Sequence, residues 1–494
     1  MASRARWWKS SRARPAGETW RGPHPPMKLA TWQKILYASG SLGVALSYQA
    51  FGTYIQFLYI DILGLKASLV GIGWSLYGIW NALNDPLAGY WSDRTRTRWG
   101  RRTPWIAGAF VPLGLFFYLL WVPPAPLLHG GQTPLFVWFM AAVLIFDLLW
   151  TIVVMNWTAL FPEMIPEPGE RAGVSGWRQL FSVIGLLVGV ALPPILVGAD
   201  WSGRGPMALL LAAVTTAAFG LALLGIREPP AAAAEEPLAF GPALGASWRS
   251  LPFRWFLVAN LHKEFIYSML TASVPFWAKY VLAIRAPVRM SGVTLDPGLQ
   301  NSLLLGSAFV MALPALPVWT ALARRFGARR AWQIAHASFA LAMLRVFSAR
   351  DFLEGMVAMS LAGLCLGGLL VTPDLLISDV IDLDEVETGR RREGMYFGLN
   401  GFVIRFAFTM QGLATGAILQ ATRYVASSPE NLYPAQPPAA LLGIRALIAL
   451  LPIAASVVAI AALELYPLHS TRYRAMREAL AALRAGRALP SRSG

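Results

Sequence analysis

Charged residues are scarce in this chain. Only 14% of its 494 residues are charged, whereas 56% are hydrophobic. Soluble domains carry roughly 25% charged residues, and a soluble protein of this length would need two or three domains with charged surfaces. The composition therefore excludes an ordinary soluble protein.

Several catalytic signals are also lacking. The one cysteine, Cys365, cannot form an internal disulfide, and the five histidines are scattered. The apolar segments contain no paired carboxylates, His-rich metal set or nucleophile–base motif, and no GxxxxGK[ST] loop cradles nucleotide phosphates. We expect no enzyme, no cofactor, no ATP-driven pump, and no metal beyond a possible transported sodium ion.

Basic residues, in contrast, are in excess, with a formal net charge of +16. A nucleic-acid-binding protein concentrates Lys and Arg on one folded face. Here they occupy short gaps between apolar segments, where membrane topology explains them. We therefore expect no nucleic-acid partner.

What the sequence contains is a series of apolar segments of 18 or more residues, the length of a spanning helix. Only α-helices or a closed β-barrel can satisfy the backbone hydrogen bonds of a chain in lipid. Because apolar and polar residues do not alternate strictly, we expect an all-α membrane protein. Twelve spans are predicted. They are 35–60, 67–91, 104–124, 133–161, 177–198, 206–226, 254–281, 299–323, 331–348, 352–378, 395–422 and 440–465.

The distribution of Lys and Arg predicts the orientation of these spans. An even number of spans puts both termini on one side, and the positive-inside bias makes that side the cytoplasm of a multi-pass plasma-membrane protein. The longest internal cytoplasmic loop divides the spans six and six. The predicted units are a basic tail 1–34, a six-helix bundle 35–226, a linker 227–253, a second six-helix bundle 254–465 and a basic tail 466–494.

The two tails carry separate expectations. The first 26 residues have no apolar core and so do not form a signal peptide; because Met27 follows, it stays open whether they are translated. In the second tail, a basic helical stretch at 472–487 is expected to lie on anionic lipid headgroups.

A short motif recurs in the two halves. Residues 89–102 read GYWSDRTRTRWGRR after the second span, and residues 324–330 read RRFGARR after the eighth. Both are basic, glycine-containing turns after the second helix of a half. Repeated halves with a substrate site between them are typical of secondary transporters.

These residues resemble the major facilitator superfamily, and in particular the glycoside–pentoside–hexuronide:cation symporters, the group of melibiose permease. The long form of the first loop is similar to the signature loop of that group. Three further segments resemble it: IWNALNDP at 79–86, NWTALFPE at 156–163 and DVIDLDEVETGRRREG at 379–394, which is similar to the family's loop between the tenth and eleventh helices. The resemblance implies a major facilitator fold with twelve helices in two bundles.

Asp85 is the strongest candidate for a functional residue within the spans. An ionisable group inside an apolar span costs at least about 2.5–3.5 kcal/mol at the helix centre, so it marks a functional site by default. Asn81, Asn84 and Asp85 share one helix face, and their oxygens suit a hard cation such as sodium. The alternative is a helix-end Asp paired with the basic loop.

The resemblance adds detail to this cation site. It implies that Asp85 is a cation-site acid, Asn84 a neighbouring ligand and Thr151 a further ligand hydroxyl. Asn81 stands where the family has a second acid, which leaves sodium, a proton or no coupling open.

For the substrate, the resemblance implies cavity-facing cations at Arg178 and Arg405. The family's sugar-binding acids are missing, because Val154 and Ala45 stand in their places. Asp147 shares a stripe with Thr151 and is expected either to replace them or to pair with Arg405 or Arg178. We take Asp147, Arg178 and Arg405 as the substrate-binding residues.

Two charged clusters are predicted to act as gates. Asp93, with neighbours Arg94, Arg101 and Arg102, is expected to pair with these arginines and with a helix end of its own half, the alternative being a solvated loop charge. The second cluster, with Asp379, Asp382, Arg391 and Glu393, is expected either to close the cytoplasmic side or to form a salt-bridged loop.

Three charged residues of the seventh span are left without a role. Lys263 and Glu264 are adjacent, so their side chains start in different directions and we do not expect them simply to pair. Lys279 follows in the same span.

The sequence thus predicts a secondary active transporter, with cation-coupled symport of a glycoside or related solute by alternating access. Because the sugar-binding acids are missing, an amphiphilic or anionic solute such as a lysolipid is the alternative, and a non-transporting membrane receptor is a third. The expected partners are a small solute, a coupling cation, sodium or proton, and membrane lipids. Nothing in the sequence indicates the oligomeric state.

Overall fold

The computed structural model describes residues 29–485, except 166, 199, 229–249, 291, 390–391 and 469. The predicted gating residue Arg391 and most of the predicted linker 227–253 therefore lie outside the described residues. Within them, twelve long helices follow one another. They are α1 (Thr31–Phe57), α2 (Ala67–Arg94), α3 (Thr103–Trp121), α4 (Gln132–Met164), α5 (Pro168–Val197), α6 (Arg204–Gly225), α7 (Leu251–Phe276), α8 (Pro297–Phe326), α9 (Ala328–Ser348), α10 (Phe352–Thr388), α11 (Glu393–Ala421) and α12 (Pro438–Glu464).

Smaller elements complete the described chain. A single helical turn, Ala125–Leu128, precedes α4, and a two-stranded antiparallel hairpin of β1 (Val288–Met290) and β2 (Val293–Leu295) precedes α8. A last helix, α13 (Ser470–Arg484), packs against α10 through its buried Met476 and Leu480.

Most helix ends lie close to the predicted ones, with two exceptions. α5 begins at Pro168 rather than at 177, because its first turns are polar and give no hydropathy signal. α10 continues to Thr388 rather than ending at 378, so Asp379 and Asp382 lie on a helix, and the prediction of a loop there is wrong. The helix ends where Gly389 adopts a φ of 66° and donates its backbone N–H to the Glu385 carbonyl at 2.9 Å.

Eight of the described helices are long and apolar enough by composition to cross a membrane: α3, α4, α5, α6, α8, α10, α11 and α12. The other four, α1, α2, α7 and α9, have similar lengths but more polar residues. Polar residues in a spanning helix face the bundle interior or a water-filled cavity. Two of these four, α2 and α7, carry the ionisable groups considered below.

The first helices of the two halves end in the same way. α1 continues into a π-helical turn, Leu58–Ile62, and α7 into another, Trp277–Val281. After each turn, one backbone N–H donates to the carbonyl five residues earlier, and the N–H two residues further on donates to the carbonyl six residues earlier. In the first half these bonds run from Leu63 to Leu58 and from Leu65 to Tyr59. In the second half they run from Leu282 to Trp277 and from Ile284 to Ala278. The first helices of the two halves therefore share the same ending, as expected of repeated halves.

The two halves meet through three helix pairs: α2 with α11, α5 with α8, and α1 with α7. The backbones of α2 and α11 approach closely near Gly71 and Gly416. A Cβ on Gly416 would lie 2.6 Å from the Ala67 carbonyl oxygen and 2.9 Å from the Gly71 Cα. Only glycine lets the backbones come this close.

These contacts seal one end of the bundle. We call it the sealed end; it carries the two π-helical turns, and the opposite end, with the loop between α2 and α3, is the basic end. Ser302 of α8 donates to the Ala191 carbonyl of α5 at 2.5 Å, and Gln411 of α11 donates to Gln56 of α1 at 2.6 Å. Among the described residues, the hydrogen bonds that join the halves are found at the level of the Arg405–Asp85 pair or between that level and the sealed end. Toward the basic end, no hydrogen bond between described residues joins the halves, and we infer that the space between the halves opens at that end.

Candidate functional site

The polar face of α2 is buried against α4 in mid-helix. Asn81 and Asn84 are 2% and 0% exposed, and both direct their side-chain amides at Asp147 of α4. Asn81 donates to Asp147 Oδ1 at 2.6 Å and Asn84 donates to Oδ2 at 2.5 Å. Each oxygen of this buried carboxylate thus receives a neutral donor, which satisfies it without neutralising its charge.

Asp85 lies one residue further along α2 and joins the two halves. Its Oδ2 accepts a hydrogen bond from Arg405 of α11 at 2.5 Å, and its Oδ1 accepts one from the Thr151 hydroxyl of α4 at 3.1 Å. The Thr151 hydroxyl also lies 3.3 Å from the Asn84 carbonyl oxygen. Asp85 is therefore not simply a helix-end residue paired with the basic loop.

The structure brings the four predicted cation residues and two of the three predicted substrate residues into one cluster, which we call the α2–α4–α11 cluster: Asn81, Asn84, Asp85, Asp147, Thr151 and Arg405. Asp147 does not pair with Arg405 or Arg178 but with the α2 amides. It brings a second carboxylate beside Asn81, the position at which the resemblance implies a missing acid.

Arg178 of α5 lies apart from this cluster. Its guanidinium stacks over Trp157 and Phe161 of α4, with centroid distances of 4.4 and 4.6 Å. Among the described residues no carboxylate pairs with it. Trp157 is itself fixed to α1, since its Nε1 donates to the Tyr37 carbonyl at 3.1 Å while the Tyr37 hydroxyl donates to the Trp157 carbonyl at 2.7 Å.

The predicted charges of the first basic loop form a network within one half. Arg102 lies 3.4 Å from Asp93 and 3.2 Å from Glu163 at the end of α4, and Arg101 donates to Glu163 at 2.6 Å. Arg94 instead stacks over Tyr90, 3.5 Å from the ring centroid. Arg102 thus links Asp93 to Glu163 at the end of α4, within the same half.

The second charged cluster contacts the C-terminal helix. Asp379 accepts from the Tyr473 hydroxyl at 3.3 Å, and Asp382 pairs with Arg477 at 3.4 Å, so α13 rests on the extension of α10. Glu393 is the first residue of α11. The remaining predicted member, Arg391, lies outside the described residues.

Sequence reasoning missed Asp61. This residue, in the π-helical turn after α1, is 0% exposed and is held by four side chains of the opposite half. Its donors are Lys279 at 2.5 Å, Tyr280 at 2.5 Å, Tyr424 at 2.5 Å and Ser427 at 2.8 Å. Two features of the sequence could have indicated this contact. Asp61 is an acid in an apolar segment, and Lys279, left without a role by the sequence, lies in the matching segment of the other half. We call this group the Asp61 lock.

Comparison with known proteins identifies the family. The sequence matches the family described as MFS/sugar transport protein over residues 36–470. The chain belongs to this family. It is a membrane transporter, not an enzyme.

Relatives of this transporter share about a quarter of its residues. An uncharacterized symporter of Synechocystis sp. is 25% identical, covering 86% of this chain and 92% of its own. The isoprimeverose transporter of Lactiplantibacillus pentosus is also 25% identical, with 85% and 86% covered. The sodium-dependent lysophosphatidylcholine symporter 1-A of Danio rerio is 23% identical, with 77% and 76% covered.

Solved structures show the same fold. A bacterial homolog of the human lysosomal transporter Spinster superimposes with a TM-score of 0.62 over 94% of this chain and 100% of its own, at 14% identity. The prediction of an all-α major facilitator fold is confirmed.

Proposed function

We propose that this transporter carries out cation-coupled symport by alternating access, with the α2–α4–α11 cluster as the coupling site. The observation that supports this most directly is the ion pair between Asp85 and Arg405. It joins the two halves in mid-membrane, yet the Asp85 side chain is 36% exposed. A site that both joins the halves and is reachable from one side is what alternating access requires.

The pairing suggests how ion and solute depend on each other. Arg405 is always charged and occupies Asp85 Oδ2, so a cation must displace it to bind this carboxylate. A solute that hydrogen-bonds the Arg405 guanidinium frees Asp85 for the cation. Each ligand then favours binding of the other, which is a positive coupling free energy shared by both.

For the coupling ion we favour sodium at this site. Once Arg405 leaves, Asp85, the Thr151 hydroxyl and the amide oxygens of Asn81 and Asn84 form a set of oxygen donors on neighbouring helices, and Asp147 adds a second negative charge beside them. Hard oxygen ligands suit sodium. A proton needs only one of the carboxylates and is the competing ion in the test below.

The direction of opening follows from the charge distribution. The basic end faces the cytoplasm under the positive-inside rule, with both termini on that side of a plasma membrane. The conformation described here is then open to the cytoplasm and closed to the exterior by the Asp61 lock. The bundles 35–226 and 254–465 rock about the cluster, with 227–253 as the linker between them.

The solute we favour is a glycoside or a related small sugar, since the isoprimeverose transporter is among the relatives. Asp147, Arg178 and Arg405 supply an acceptor and two donors for hydroxyl groups. A lysolipid is the second candidate, because Ala45 and Val154 replace the sugar-binding acids and a lysophosphatidylcholine symporter is also a relative.

The test is uptake by proteoliposomes that contain the full chain. Labelled isoprimeverose and labelled lysophosphatidylcholine are supplied separately, each with an inward sodium gradient, an inward proton gradient or neither. Sodium-driven accumulation of the sugar is the expected result. Proton-driven accumulation alone would reassign the ion, and movement of the lipid alone would reassign the solute.

A receptor without transport activity predicts accumulation of neither compound under any gradient. The matched variants are Asp85→Asn, which should abolish the gradient effect, and Glu478→Gln on the exposed face of α13, which should leave it unchanged. If Asp85→Asn keeps the sodium dependence of the native chain, the cation-site assignment is wrong.

A further inference from the structure

Between the α2–α4–α11 cluster and the Asp61 lock, a band of neutral polar side chains lies where the two halves meet. On α1 it contains Gln49 and Gln56, and on α11 it contains Gln411; all three are buried. Tyr267 of α7 completes the band, because its hydroxyl donates to Gln49 Oε1 at 2.8 Å. We call these four residues the amide seam.

The amide seam follows the path that leads from the coupling site to the sealed end. Along α11, Gln411 lies about 9 Å beyond Arg405, at about 1.5 Å of rise per residue. Along α1, Gln56 lies about 7.5 Å before Asp61 on the same measure. Gln411 donates to Gln56 Oε1 at 2.6 Å, so the seam bridges the halves between the two sites. It is closed in this conformation, and separation of the halves at the sealed end exposes it.

One amide of the seam is incompletely paired in the closed conformation. Gln56 is 0% exposed, and its Nε2 atom has no hydrogen-bond partner among the described residues. A buried donor without a partner is costly, and an apolar side chain of the same size avoids that cost. An amide at this position is therefore explained by another conformation, in which its N–H groups find an acceptor. The acceptor is either a solute or water alone, and the experiments below separate the two.

The stretches of helix that carry the seam contain no charged residue. They are 45–57 of α1, 265–276 of α7 and 406–421 of α11. The charges of α7 nearest to the seam on the side of the basic end, Lys263 and Glu264, pair with each other, so the expectation that these adjacent residues would not pair is wrong. A charged headgroup on this path loses water without meeting a counter-charge, which is costly. An amide, in contrast, can both donate to and accept from a neutral hydroxyl group.

We propose that the amide seam is a second solute-binding subsite, on the exterior side of the coupling site, and that it binds the hydroxyl groups of a neutral solute. When the sealed end opens, Gln411 and Gln56 separate, and their amides hydrogen-bond the solute before it reaches Arg405. This inference rests on the proposed function and deepens it. The hydroxyl groups of a sugar satisfy the seam, whereas the charged headgroup of a lysolipid does not.

Uptake kinetics test whether Gln56 binds a hydroxyl group of the solute. Proteoliposomes with the full chain take up labelled isoprimeverose from the exterior side under an inward sodium gradient, and the KM is also measured for monodeoxy analogues that each lack one hydroxyl group. In Gln56→Met, a substitution of similar length without a donor, the KM for isoprimeverose should rise about fivefold, which corresponds to the loss of one neutral hydrogen bond. For the analogue that lacks the hydroxyl group bound by Gln56, the KM should be the same in both chains.

The matched control is Gln420→Met, because Gln420 lies exposed on the same helix as Gln411, and it should change no KM. If water alone solvates the seam, or if the substitution only shifts the balance between conformations, the KM changes by one common factor for isoprimeverose and every analogue, and the subsite is refuted. An unchanged KM in Gln56→Met refutes it as well. If the native chain takes up no isoprimeverose, the proposed function fails, and the subsite fails with it.

A labelling experiment tests the position of the seam without any solute. Gln56→Cys is introduced into a full chain that carries Cys365→Ser and Asp61→Asn, and an impermeant maleimide is added from outside. The cysteine should react at least about tenfold faster than in the chain with Asp61 intact, because labelling of a buried site follows the population that is open. Thr372→Cys, at a fully buried position within the second half, should stay unlabelled in both chains. An absence of labelling at Gln56→Cys in the Asp61→Asn chain would place the seam off the path and overturn the inference.

Discussion

Asp61 and Asp85 each pair with a cation of the opposite half, but in different surroundings. Asp61 is fully buried and receives four side-chain donors, whereas Asp85 is partly exposed and receives two. A buried pair with satisfied hydrogen bonds opens only when its end of the bundle opens. A partly solvated pair can exchange partners while the halves stay together. We therefore interpret the first as a lock and the second as a switch.

The largest effect is expected from removing the lock. Asp61→Asn leaves Lys279 buried without a counter-charge, and breaking a buried ion pair in this way costs about 3–5 kcal/mol. The sealed end should open, so a cysteine introduced at Asn301, which lines a cavity at that end, should react with an impermeant maleimide added from outside. The native cysteine is first removed by Cys365→Ser, and Asp200→Asn on an exposed loop is the control. Equal labelling with and without the Asp61 substitution would contradict the lock.

A smaller effect on stability, with a specific effect on coupling, is expected at the switch. Asp85→Asn and Arg405→Gln should each lower the melting temperature of the detergent-solubilised chain. Because the two residues contact each other, the double variant should lose less stability than the sum of the singles, with an interaction energy of about 0.5–3 kcal/mol. If the stability losses of the two single variants add up to that of the double variant, Asp85 and Arg405 do not stabilise each other.

The close approach of α2 and α11 offers a third way to change how readily the sealed end opens. Gly416→Ala adds a methyl group where the backbones nearly touch, and overpacking of this kind costs about 1–3 kcal/mol. Because the contact belongs to the sealed end, the variant should label more strongly at the introduced Asn301 cysteine. Gly306→Ala, where an added Cβ meets nothing within 4 Å, is the control. Reduced labelling of Gly416→Ala would show that the contact does not hold this end shut.

The smallest effect is expected at the basic end. The Arg477 side chain is 54% exposed in its pair with Asp382, and exposed ion pairs contribute about 0–1 kcal/mol. Arg477→Ala should therefore change the melting temperature of the chain only slightly and leave transport intact. A large loss of transport would mean that α13 takes part in closing this end.

The fold was largely predictable from the sequence, because its main signals are local. An apolar segment long enough to span the bilayer is visible in the sequence of that segment alone, and it locates helices such as α4 and α12 to within a few residues. The ends of α5 and α10 were missed for the same reason. Their extensions are polar helix, which begins at Pro168 in one and ends just before Gly389 in the other, and hydropathy does not detect them.

The candidate site was predictable in part. A single helix face already groups Asn81, Asn84 and Asp85, since i, i+3 and i+4 positions are neighbours. That their partners are Asp147 and Arg405 depends on which helices pack together. Asp61 was missed because its donors come from residues more than two hundred positions away in the chain.

The sequence by itself determined that this chain spans a membrane, which family it resembles and that acids such as Asp85 and Asp147 lie within its spans, because the cost of placing charge or an unpaired backbone in lipid acts on each segment separately. The tertiary structure alone decided which of those acids hold the halves together and which end of the bundle is closed. Ion pairs between α1 and α7, or between α2 and α11, exist only after the two repeats have packed face to face.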